Sequence, residues 1–405
     1  MTITLAAIAA GRRHLSWAAR LCALLLLVRA SCDPLLDAAK SQAGGMGLGA
    51  LLNALMLLVA GRYALLRPQP LMAVTAPMWG PFLLAGLASV AVAPDASGAF
   101  RLSLVQASYC AAFALPFWLI RNGADRLRWL RILLMSSVVP VCWALLEFVL
   151  GADAQGDGLY RLQGSFSHPN IFAFYLVLMI ALLLYLLKAA APAPPAGRRR
   201  LMWLYMLLLL MLLVLTKTRS AWAGCMLLFV VYGALVERRF LVYALLAPAL
   251  LLLDDDVRGR LTDVAGGAYD EEGNLNSYAW RVLLWRAGLA WMEGAHHLYG
   301  YGLESFRFYS PLFFPLQGQD SWDPHNVYIQ LFFETGAIGL AAYGWLFWRL
   351  LPRLWRLAPN RAGAAIVLAM ALAYLLTSYS DNMLYYLSFN WYFWFFIGSA
   401  AVREK

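Results

Sequence analysis

The stretch LMWLYMLLLLMLLVL (201–215), TKTRS (216–220), AWAGCMLLFVVYGALV (221–236) decides the fold class. Two apolar runs without a single charge flank five residues that include Lys217 and Arg219. A spanning helix needs roughly 20 mostly apolar residues, so the segment reads as two antiparallel membrane crossings joined by a tight, cationic turn. Outward from it, similar runs fall at about 16–36, 45–66, 71–93, 101–120, 129–150, 171–190, 201–217, 219–236, 240–253, 328–350, 361–379 and 383–400. The spacing predicts an all-α polytopic membrane protein of about twelve transmembrane helices, with both termini on one side. Composition agrees: 62% of the 405 residues are hydrophobic and 13% charged, against about 45–50% and about 25% in soluble domains. Twelve crossings occupy roughly 240 positions, which excludes a large soluble domain.

The distribution of Lys and Arg orients the chain, because cationic loops are retained on the cytoplasmic face during insertion. With a cytoplasmic N-terminus, the inner segments hold 21 cations and only Asp125, Glu237 and Glu404 as acids. The outer segments hold ten cations and 19 acids, and Arg29 lies inside the first run. The net charge of +10 is therefore mostly topology, and a nucleic-acid partner is not expected. Both termini are expected on the cytoplasmic face.

This orientation puts the longest hydrophilic stretch, 254–327, outside, and divides the chain into 1–253 (nine crossings), 254–327 (an outer loop) and 328–405 (three crossings). The loop opens with Asp254, Asp255 and Asp256, has glycine punctuation at Gly266, Gly267 and Gly273, and contains YAWRVLLWRAGLAWM (278–292), which reads as an amphipathic interfacial helix. APAPPAG (191–197) reads as a stiff inner linker. The five cysteines, Cys22, Cys32, Cys110, Cys142 and Cys225, form no CxxC pair and read as packing residues. The first apolar run lacks a small-residue cleavage site and is expected to stay in the membrane.

Outer-face cations are the candidates for chemistry. They include Arg161 in YRLQGSFSHPN, Lys217 and Arg219 in TKTRSAW, Arg281 and Arg286 in YAWRVLLWR, and Arg307 in ESFRFY. Arg219 lies near membrane depth, where a charge is costly unless it meets an anion or a wet cavity. A guanidinium fork donates two parallel bonds to phosphate oxygens, so a lipid diphosphate suits this depth. Arg286 and Arg307 read as snorkelling or surface-paired side chains, and Lys217 as a supporting charge. Among the histidines, His14, His296 and His297 carry no metal or catalytic spacing. His168 precedes a helix that Asn170 is expected to cap. His325 differs, because DPHNVYIQLFFETGAIGL leads from a polar knot directly into an apolar run. Its imidazole, ordinarily near pKa 6.5, is suited to take a hydroxyl proton.

Taken in order, RLQGSFSHPN, TKTRSAW, the Arg281 helix and PHNVYIQLFFETGAIGL resemble the O-antigen ligase and polymerase superfamily of bacterial envelope glycosyltransferases. His325, Asn326, Glu334, Gly336 and Gly339 fit its H-N…E-x-G-x-x-G pattern, while Thr218 stands where Ser is usual in its T-x-S-R stretch. The resemblance implies a GT-C-like membrane enzyme, active at the periplasmic face. It would move polysaccharide from undecaprenyl diphosphate to the lipid A-core oligosaccharide, without metal or nucleotide cofactor and with inversion. The site it implies has Arg219, Arg281 and His325 as catalytic residues. Arg161, Arg219 and Arg281 would hold the donor diphosphate, with His168, Asn170, Lys217, Asn326 and Glu334 in support. Alternatives are an O-antigen polymerase, a protein O-oligosaccharyltransferase using the same donor, or a lipid or drug transporter. The transporter reading is weakened because the polar groups concentrate on one face and the spans, apart from Arg29 and the peripheral Glu147, are nearly free of charge, whereas transporters usually show repeated halves and ionisable residues at the membrane midplane.

Overall fold

The computed structural model describes residues 16–36, 47–151, 161–190, 192–251, 277–314, 321–358 and 360–403. The Asp254–Asp256 run, Gly266, Gly267, Gly273 and His14 lie outside the described residues. Helices follow in the order α1 (Trp17–Val28), α2 (Leu48–Leu66), α3 (Leu71–Val92), α4 (Ala96–Leu119), α5 (Gly123–Leu150), α6 (Pro169–Lys188), α7 (Ala196–Leu215), α8 (Arg219–Leu235) and α9 (Arg239–Leu251). Residues 277–314 contribute α10 (Ser277–Trp291), α11 (His296–Tyr299) and α12 (Ser305–Phe313), and the chain continues through α13 (Val327–Leu357), α14 (Arg361–Thr377) and α15 (Leu387–Ala400). Among the described residues there is no strand.

A helix lies in each of the twelve apolar runs, and α10 covers the stretch read as an amphipathic helix. The helices are not uniform, however. Five of them, α2 to α6, are long and apolar enough to cross a membrane, whereas α8 and α14 are shorter apolar helices. The 17 residues of α8 rise only ~25 Å, less than the ~30 Å hydrocarbon core. The chain is thus a helical membrane protein in which the inferred crossings differ in length.

Burial separates centre from periphery. In α6 89% of the apolar window is buried inside the protein, but in α2 only 22%. A helix that is apolar all round and yet faces outward has its solvent in lipid, whereas α6 and α15 form the centre. Around them α8 packs along α14, α3 along α13, and α15 along α4. Charge within the bundle is paired: Arg29 Nη1 lies 2.5 Å from Asp33 Oδ1, and both are buried.

The ends of the bundle differ. At one end Lys188 meets Glu237 across α6 and α8, and Arg126 and Arg353 donate to the carbonyls of Val402 and Ala401 just beyond α15. Cations near those carbonyls complement the negative pole of the helix. The residues singled out above as outer-face candidates gather at the opposite end, ~30 Å away along the 20 residues of α6.

Candidate functional site

Four helix starts, those of α6, α8, α10 and α13, and two connecting segments, before α6 and between α14 and α15, build the site. The segment after Arg161 is pinned by Glu147 near the end of α5, whose carboxylate accepts from the backbone N–H of Gln163 (3.2 Å) and Gly164 (2.8 Å). Leu162 N–H donates to Leu215 O and Ser165 Oγ to Ala30 O. These bonds hold the segment against the end of α7, so Arg161 faces the Thr216–Ser220 turn. There Arg161 donates to Thr216 O (3.1 Å), Thr218 Oγ1 (3.1 Å) and Asn170 Oδ1 (2.7 Å). A guanidinium on the last carbonyls of α7 satisfies acceptors that the helix leaves open.

The expected helix cap is corrected. His168, not Asn170, caps α6, its Nδ1 accepting from Asn170 N–H at 3.1 Å. A capping role needs a ring acceptor, and crowding by protein together with the Arg161 charge pushes the His168 pKa down to about 4. The Asn170 side chain is thereby released into the site, where its Nδ2 donates to Asp381 Oδ1 at 2.9 Å.

Asp381 is the residue that sequence reading missed. It lies between α14 and α15, is 2% exposed, and also accepts from Ser220 Oγ (2.6 Å) and Tyr386 Oη (3.1 Å). Burial raises its carboxyl above the ordinary range, against the opposing effects of the Ser220 bond, Arg281 and the Asn170 and Tyr386 bonds. The only signal in the sequence was one acid in TSYSDN (377–382), on the same face as the cations. Its partners are 211 and 161 residues away, so spacing could not have joined them.

Arg281, from the first turns of α10, donates Nη1 to Ser380 O at 2.8 Å and forms no ion pair among the described residues. It is half-buried, whereas Arg286 and Arg307 are exposed, as their surface reading requires. Helix α10 is held against the next segment by Trp285, whose Nε1 donates to Pro324 O (2.6 Å) and whose ring meets Tyr379 at 5.5 Å.

Pro324 precedes His325, which is left-handed at φ 47°. Lys217 (φ 51°) and Glu304 (φ 63°) are the other non-glycine residues of this kind among those described. Such backbones cost about 1–3 kcal/mol and persist where the surroundings over-determine them. Here the restraints are Asn326, whose Oδ1 accepts from Tyr328 N–H and Ile329 N–H as the cap of α13, and the Val327 N–H to Ser378 O bond of 2.8 Å. The His325 Nδ1 is buried and has no hydrogen-bond partner among the described residues. Burial, then the Arg281 and His168 charges, push its pKa down to about 4. The ring is therefore neutral at pH 7, but as a base it is weaker than the ordinary imidazole expected from the sequence.

Arg219 starts α8, half-buried beside Ser220 and hence beside the Asp381 junction. Lys217 occupies the same turn. Glu334 is not part of the cluster. It lies in α13, buried, accepting from Gln330 Nε2 (3.1 Å) and Tyr385 Oη (3.2 Å). Gly336 breaks α13 with φ 65°, and a Cβ there would come within 2.2 Å of Leu298 O. Reciprocally, a Cβ on Gly300 would come within 2.3 Å of Glu334 O, and Gly302 N–H donates to that carbonyl at 2.8 Å. The E-x-G stretch thus seats the outer segment on the bundle. His296 and His297 belong to α11, where the His296 ring stacks on Tyr301 at 3.9 Å.

Fold and cluster together define a helical membrane protein with a guanidinium- and imidazole-bearing site at one end. Residues 204–344 match the family model described as O-Antigen ligase. That span runs from α7 into α13 and includes Lys217, Arg219, Arg281, His325, Asn326 and Glu334. Over that span, just over a third of the chain, the sequence is similar to the O-antigen ligase family, in agreement with the superfamily resemblance. Arg161, His168, Asn170 and Asp381 lie outside the matched span. No curated protein matches the chain.

Proposed function

We propose that the protein is an O-antigen ligase, transferring polysaccharide from undecaprenyl diphosphate to the lipid A-core oligosaccharide at the periplasmic face of the bacterial inner membrane. The observation that carries this is the convergence of Arg281 and the His325 imidazole, whose Nδ1 has no partner among the described residues, beside the Arg161–Asn170–Asp381 network, in a chain whose residues 204–344 match the O-antigen ligase family model.

In this reading the acceptor hydroxyl attacks the anomeric carbon from the face opposite the diphosphate, with inversion. The C–O bond to the leaving group breaks, and charge gathers on the diphosphate oxygens. Arg219 and Arg281 neutralise it as fixed donors that need no reorganisation, and no metal is required. Arg161 supports the turn that carries Arg219. Asp381 is a positioning residue: it holds Ser220, and through Asn170 it orders the Arg161 contacts. His325 receives the hydroxyl proton or orients the hydroxyl. Burial first, and the Arg281 charge second, hold its resting pKa at about 4, so it is a poor base, and an anion on Arg281 offsets only the second of these. Binding of the diphosphate therefore raises the basicity only in part, and the orienting role of the ring carries more of the mechanism.

The test is transfer by purified protein from a lipid-linked glycan in EDTA, with lipid A-core, a second glycan or an acceptor peptide offered separately. The reading expects product on lipid A-core. Product on the growing glycan or on the peptide instead would make the protein a polymerase or an oligosaccharyltransferase. Full transfer by His325→Ala would remove the imidazole from the mechanism.

A further inference from the structure

A second cationic concavity lies at the opposite end of the bundle, where the ends of α6 and α8 meet the starts of α7 and α9. It encloses about 470 Å³ and is lined by Lys188, Arg199, Trp203, Arg239, Phe240 and Tyr243. We propose that it binds the phosphate headgroup of an anionic phospholipid in the leaflet opposite the candidate catalytic site.

Three features separate it from the scattered cations of an inner face. Its charges are unbalanced: three cations line it, and the neighbouring acid is Glu237, which pairs with both Lys188 (2.8 Å) and Arg239. Its lysine is built in, half-buried with Nζ 5.7 Å from the centre of the Trp203 ring and 5.8 Å from that of Phe240. Its mouth is amphipathic: Trp203 and Tyr243 are partly exposed, as aromatic residues at headgroup level are, and exposed Leu204, Leu207, Leu245 and Leu246 continue along α7 and α9. A soluble phosphate would use only the cations. A lipid also uses the apolar strip, with its acyl chains along α7 and α9, which is why the occupant is assigned as a phospholipid. Basic pockets between helices on the cytoplasmic side hold anionic headgroups in this way.

The experiment is native mass spectrometry of the full chain released from detergent, titrated with dioleoyl phosphatidylglycerol, with dioleoyl phosphatidylcholine, and with phosphatidylglycerol plus inorganic phosphate. Wild-type protein is expected to retain phosphatidylglycerol in preference to phosphatidylcholine, with no competition from millimolar phosphate. Arg199→Ala with Arg239→Ala should weaken the adduct about 25-fold, and Arg199→Ala alone about fivefold, which keeps the test available if the double variant does not fold. Arg281→Ala, at the other end, should leave this adduct in place. Wild-type affinity in a folded Arg199→Ala protein, or displacement of the lipid by phosphate, would overturn the proposal.

Discussion

The two cationic ends of this bundle handle charge differently. At the α6–α8–α9 end, Lys188 and Arg239 share Glu237, and the side chains of Arg199 and Arg239 are open to solvent. At the other end Arg281 is fixed by a neutral carbonyl, Ser380 O, and has no carboxylate within ion-pair distance among the described residues. Asp381, the nearby acid, is instead taken up by Ser220, Asn170 and Tyr386. A guanidinium held by carbonyls keeps its charge for an incoming anion, whereas a carboxylate partner would compete for it. The first arrangement suits a headgroup that binds and leaves; the second suits a leaving group whose charge must be met in place.

The sharpest contrast is within α10. Arg281→Ala should lower transfer about 10²–10³-fold, as loss of one fixed donor to a developing anion does elsewhere, while Arg286→Ala, exposed on the same helix, should leave the rate within about twofold. Equal losses from both would mean that α10 contributes charge rather than a placed donor. Arg281→Lys should recover little, because the fork is gone.

Next in size is Gly336→Ala. The new Cβ would meet the Leu298 carbonyl at 2.2 Å, on a backbone that L-residues rarely adopt. Melting in detergent should show a loss of about 3 kcal/mol or more, with the outer segment becoming sensitive to protease. An unchanged melting profile would break the account of how that segment is seated on α13.

Asp381→Asn should cost about 1–3 kcal/mol, because one carboxamide oxygen cannot serve Ser220, Asn170 and Tyr386 together. Its positioning role is read separately, as a fall in kcat with little change in donor KM. A purely structural role would lower the amount of folded enzyme without changing that split.

Much of the architecture was legible beforehand. A helix lies in each apolar run, because a backbone in lipid must satisfy its own hydrogen bonds. The Arg281–His325 proximity followed from motif order on one face. Three things were hidden. Asp381 depends on contacts between the α14–α15 connection and residues from α6 and α8. The exchange of roles between His168 and Asn170 depends on rotamers, which spacing does not encode. Glu334 and Gly336 sit in the same motif as His325, but they lie two to three helical turns along α13 from it, against Tyr385 and Leu298, so shared motif membership did not mean shared contacts.

The smallest effect expected is in pH. His168 and His325 both have folded pKa values lowered to about 4, so the unfolded chain binds protons more readily below the ordinary value near 6.5. Stability contributed by the neutral rings is complete above pH 6.5 and declines as pH falls from there toward 4. The melting temperature should fall across that window, and His325→Gln should flatten the decline. A pH-independent melting temperature between 7 and about 4.5 would show that these rings are not desolvated as described.

The most direct measurement is the affinity of undecaprenyl diphosphate for wild-type and Arg281→Ala protein in nanodiscs. The account predicts at least about tenfold weaker binding by Arg281→Ala, with Arg286→Ala unchanged. Equal affinity in all three proteins would contradict the claim that the guanidinium at this end of the bundle receives the diphosphate.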